Sequence, residues 1–140
     1  MFSTVGGLAG DYENFTLQQL RELEGEERQR SALERNRANL SSQEQIALRE
    51  LQAVQRDVDA IRADVTALET RIASARRSGA ANAQQLFTLE QRLASVRAED
   101  QRLAVAMNND AAMLEELRAR RDALAGEAEA LERLVETLGF

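Results

Sequence analysis

Cysteine, histidine, proline and lysine are all missing from this 140-residue chain. Without cysteine there is no disulfide and no thiolate nucleophile, and without histidine no imidazole to hold a metal or relay a proton. The lack of lysine removes Schiff-base chemistry and the phosphate-binding lysine of a P-loop. With proline absent and only seven glycines present, almost nothing interrupts helical hydrogen bonding between Asp11 and Leu138. No apolar run approaches the roughly 20 residues that a membrane-spanning helix needs. Met1 to Gly10 also lacks the basic start and apolar core of a secretory signal. The expected address is therefore the cytoplasm, or a particle assembled there.

All eighteen basic residues are arginines, set against 24 acidic ones for a net charge of −6. That balance argues against nucleic acid as a partner, because phosphate binding needs a cationic stripe that releases counterions. The adjacent pairs Arg76-Arg77 and Arg120-Arg121 read as helix-end or surface charges. Asp57, Asp59 and Asp64 lack the glycine turn and terminal glutamate of a calcium loop and read as solvated. Gly6, Gly7 and Gly10 follow no strand and precede no phosphate-binding constellation. Neither a catalytic site, nor a cofactor site, nor a metal site is expected.

What the chain does contain is a ridge of alternating three- and four-residue steps. It runs through Leu86, Leu89, Leu93, Val96, Asp100, Leu103, Met107, Asp110, Leu114, Leu117, Arg121, Leu124, Ala128, Leu131, Val135 and Leu138. A period of about 3.5 residues keeps its apolar face buried only against another helix that winds with it. The abundance of Ala, Leu, Glu, Gln and Arg fits long helices. A second register passes through Leu51, Val54, Val58, Ile61, Val65, Leu68, Ile72 and Ala75.

The pattern predicts four zones: a Gly-rich docking tail over 1–10, a first helical arm over 11–77, a turn at 78–82 and a second helical arm over 83–138. Asp11 is the expected N-cap of the first arm. Ser41 with Glu44 and Ser42 with Gln45 resemble capping boxes and suggest a break near 40–42. Between the arms, Arg76-Arg77-Ser78-Gly79 has the chemistry of a helix end and Asn82 that of a helix start. Reversal there sets Ile72 against Leu89, Leu68 against Leu93, Val65 against Val96, Val58 against Leu103 and Val54 against Met107. The fold expected is all-α: a long antiparallel coiled-coil hairpin with arms of about 80 Å, set in an oligomeric bundle. The alternative is a parallel trimeric rod in which Gly79 marks only a stutter.

Asp100, Asp110 and Arg121 interrupt the ridge where an unpaired charge is costly, and are expected to set register and partner choice. Phe2, Val5, Leu8, Tyr12, Phe15 and Phe140 are the expected docking residues, gathered at the open base of the hairpin with Phe87 at its tip. The function expected is that of a non-catalytic structural protein, a fibre, spike or needle-like virion part or a machine spacer. Its partners would be other copies of itself and a larger protein assembly. The alternative is a soluble adaptor or chaperone of an export or secretion machine, with the charged hairpin engaging an ATPase or a cargo helix.

Overall fold

The computed structural model describes residues 15–32 and 41–140, residues 30–32 by their backbone alone. Phe2, Val5, Leu8 and Tyr12 lie outside these residues. The described chain is all-helical: α1 is Leu17–Ala32, α2 Ser42–Ser78, α3 Ala83–Met107 and α4 Leu114–Leu138. Two compact units divide it. One comprises the chain up to Gln55 together with Val105–Ala119, the other Arg56–Ala104 together with Arg120–Phe140.

Helix starts and stops follow local chemistry. At α2, Glu44 N donates to Ser41 Oγ and Ser41 N donates to Glu44 Oε1, a reciprocal capping box. Asn82 and Gln85 make the same exchange at the start of α3. Between α2 and α3, Gly79 takes φ +75°, a conformation in which any Cβ is strained. Its N–H turns back to Arg76 O, and Ala81 N reaches Ala75 O. The orphan carbonyls at the end of α2 are thereby satisfied.

Two expectations fail at the ends of the helices. The first arm does not begin as a helix through Phe15 and Thr16. Thr16 instead forms an isolated bridge with Met113, and its side chain and backbone exchange hydrogen bonds with Gln19 to cap α1. Nor is 83–138 one arm, because the chain leaves the helix after Met107 and reverses before Leu114. The cause is Asn108-Asn109-Asp110. Asn side chains compete with the helix for backbone partners, and here Asn109 Oδ1 accepts from Ala111 N while Asn109 O accepts from Ala112 N.

In the second unit three helical segments pack together. The ion pairs Arg62–Asp100, Glu69–Arg97 and Arg76–Glu90 climb α2 while descending α3, so these two run antiparallel. A single rod continuing through Gly79 is thereby ruled out. The α4 segment returns alongside α2 in the same direction, with Arg121 on Asp57 and Arg71 on the carbonyl of Phe140. It also faces α3 through Arg92 and Glu127. The interior is Val58, Leu68, Ile72 and Ala75 from α2, Leu89, Leu93, Val96 and Leu103 from α3, and Leu124, Ala128, Leu131 and Val135 from α4. A two-stranded hairpin is therefore replaced by three-segment packing. At 37 residues α2 is about 55 Å long, and no 80 Å second arm exists.

The first unit buries Leu17 and Leu20 of α1, Ala47, Leu48, Leu51 and Val54 of α2, Ala106, Ala112, Leu114 and Leu117. Downstream of Leu23, α1 offers only polar residues and glycine up to Ser31, and Gly25, Glu26, Arg28 and Gln29 are exposed. Glu24 and Arg28 form the i,i+4 ion pair there at 2.8 Å, a contribution of a few tenths of a kcal/mol.

Leu131 is fully buried, so Leu131→Ala is expected to cost about 2–5 kcal/mol in urea unfolding. The loss should be the same across a hundredfold range of protein concentration, because the cover comes from the same chain. At the glycines, Gly126→Ala should stabilise by about 0.5–1 kcal/mol, since its Cβ would meet nothing within 4 Å. Gly79→Ala should destabilise by about 1 kcal/mol or more, and thermal melts of the two variants check the opposite signs.

Candidate interaction sites

Each of the three charged ridge positions finds an opposite charge. In the second unit Asp100 accepts from Arg62 Nε at 2.7 Å, with both side chains about 40% exposed. They sit at the rim, where water screens the pair and its net contribution is about 0–1 kcal/mol. Arg121 is more enclosed, at 18% exposure, and bonds Asp57 Oδ2 at 3.1 Å and Asp122 Oδ1. Its guanidinium is thus carried over the edge of the interior by two carboxylates that remain in solvent.

Asp110, in the first unit, belongs to a clamp. Arg21 of α1 donates to Asp110 Oδ1 and to Met107 O, both at 2.6 Å. Leu17 N and Gln18 N donate to the carbonyls of Ala112 and Asp110, and Leu114 N donates to Phe15 O. Orphan N–H groups in the first turn of α1 are thereby received by the backbone of the 108–113 reversal. The spacing of the ridge foretells neither Arg21 nor this clamp. The one legible sign was the run Asn108-Asn109-Asp110, three poor helix formers in succession.

Phe15 is half-buried in the first unit, tied by its carbonyl to Leu114. Phe140 is half-buried in the second unit, where its carbonyl accepts from Arg71 near the end of α2. Phe87 is 63% exposed on α3 and Val105 60% exposed, the large apolar side chains most open to solvent among the described residues.

A cleft of about 260 Å³ opens on the second unit. Val65, Val96 and Leu124 line it together with the ion pairs Arg62–Asp100 and Glu69–Arg97. Each carboxylate in it is held by an arginine, and the rest of the lining is Val65, Thr66, Val96 and Leu124. A second, more open trough on the same unit is lined by Asp57, Asp64, Arg121 and Asp122. Among the described residues no group of three or more carboxylates gathers closely enough to hold a metal ion, and no helix is long and apolar enough to cross a membrane.

No known protein family, no curated protein and no solved structure matches this chain.

Substituting Arg121 by methionine should leave stability unchanged or raise it by about 1 kcal/mol, because an aliphatic side chain fills the site without desolvating a charge. Arg21→Ala should cost about 1 kcal/mol, from a half-exposed ion pair and one hydrogen bond to a carbonyl. Denaturant midpoints of the two variants measure both values.

Proposed function

We propose that this chain is a non-catalytic helical structural protein that self-associates and docks into a larger protein assembly through its N-terminal tail. The observation that carries this reading is where its polar chemistry is used. The cross-helix ion pairs of Arg62, Arg76, Arg92, Arg97 and Arg121 tie one helix to another. The interior they enclose is aliphatic, and among the described residues no polar or charged residue is buried in it. Such a chain is built for stiffness and defined surfaces. Met1 to Gly10, apolar and glycine-rich with Phe2, Val5 and Leu8, is the segment offered to the assembly, and Tyr12 and Phe15 follow it. On this reading the protein works in the cytoplasm or in a particle assembled there, as a virion part or a machine spacer.

One observation favours a second reading, a soluble adaptor or chaperone of an export or secretion machine. The ridge of α3 and α4 is covered within the chain, so it does not require other copies to bury it, and a lone bundle can present charged faces to a partner.

Removing residues 1–10 should abolish incorporation of the protein into its native assembly while circular dichroism shows unchanged helicity. Full incorporation of the truncated chain would refute the docking role. A mass measurement separates the two readings: a strictly monomeric chain at all concentrations favours the adaptor.

A further inference from the structure

The outward face of α3 carries a second three-and-four register that the interior does not use: Phe87, Gln91, Ala94, Ala98, Gln101 and Val105. All six are exposed. No charge stands on this stripe, although 30% of the chain is charged. The two strongly exposed large apolar side chains among the described residues, Phe87 and Val105, lie on it, one at each end. Read in either direction its chemistry is the same: a large apolar residue, an amide, alanine, alanine, an amide, a large apolar residue.

We infer that this face is a two-fold, antiparallel contact between two copies of the chain, with α3 lying against α3 of the second copy. A two-fold contact must be self-complementary, since every residue meets its mate twice. The palindrome satisfies this condition throughout. About the point between Ala94 and Ala98, Phe87 of one copy meets Val105 of the other, Gln91 meets Gln101, and Ala94 meets Ala98. Alanines at the centre let the axes approach to the lower part of the ~8–10 Å range of packed helices. Facing carboxamides can donate and accept with each other, and the apolar pairs close both ends. The flanking charges do not oppose contact. Arg97, nearest the axis, is paired with Glu69 at 3.1 Å, Glu90 with Arg76, and Arg102 with Glu99. A parallel arrangement would set Phe87 on Phe87 and Val105 on Val105 but would also stack Arg97, Arg102 and Glu90 each beside its own copy.

The stripe covers 18 residue steps, about 27 Å of helix. One such helix pair buries less than the ~1,200 Å² of a standard interface, so the dimer is a reversible one. This inference gives a surface to the self-association proposed above and rests on that reading.

Sedimentation equilibrium of the full chain should show a monomer–dimer equilibrium. Phe87→Glu should weaken it at least tenfold. Adding Val105→Lys should restore it, because glutamate and lysine then face each other twice. Adding Val105→Glu instead should not. The chain has no native cysteine, so Ala94→Cys and Ala98→Cys variants report the orientation. Mixed together, they should oxidise to the heterodimer faster than Ala94→Cys does to its homodimer. Faster linkage of Ala94→Cys to itself would mean a parallel contact and overturn the inference. A chain that associates but ignores the Phe87 and Val105 substitutions would overturn this face alone, and one monomeric at every concentration would also remove the self-association proposed above.

Discussion

A helical ridge with an apolar repeat of about 3.5 residues cannot be left in water along its length. In this protein the constraint is met by folding the ridge back upon itself. At Asn108 to Met113 the chain turns, and Leu89, Leu93, Val96 and Leu103 before the turn come to share an interior with Leu124, Ala128, Leu131 and Val135 after it. The α2 segment supplies the third side. Burial of these aliphatic side chains, each leucine and valine contributing on the order of 1.5–3 kcal/mol, is the dominant attraction. The ion pairs along the rims choose which helix lies beside which.

That division of labour shows in the exposure of the charged pairs. Arg62 with Asp100, Arg76 with Glu90 and Arg97 with Glu69 are each substantially solvated. Their net stabilisation is small, but they discriminate between registers, because sliding α3 by one turn separates each pair. Arg121 reaches from a ridge position to Asp57 and Asp122, so a charge in the seam is tolerated through the length and flexibility of its side chain.

The reversal at 108–113 depends in turn on α1. A turn of this kind leaves carbonyls without helical partners, and Asp110 and Ala112 give theirs to Gln18 and Leu17 while Arg21 takes Met107 O. Helix α1 has a weak apolar face beyond Leu23. Its place is held instead at its first turn, by these hydrogen bonds and by Leu17 and Leu20. The unused outer face of α3 is the complement of this arrangement: one register of the helix is spent inside the molecule, and the other, uncharged and palindromic, is available to a second copy.

Composition and periodicity by themselves determined that the chain is helical and that the ridge must be covered. They also marked the ends of two helices, because capping boxes at Ser41 and Asn82 and the left-handed Gly79 act locally, through residues three or four apart. Only the tertiary structure decided what covers the ridge. The steps Leu103, Met107, Asp110, Leu114 keep the three-four rhythm straight through the reversal, so periodicity cannot tell a continuous helix from a bent one. Partners of Asp100, Asp110 and Arg121 were hidden because Arg62, Arg21 and Asp57 are distant along the chain, and become neighbours only when the segments that carry them have packed.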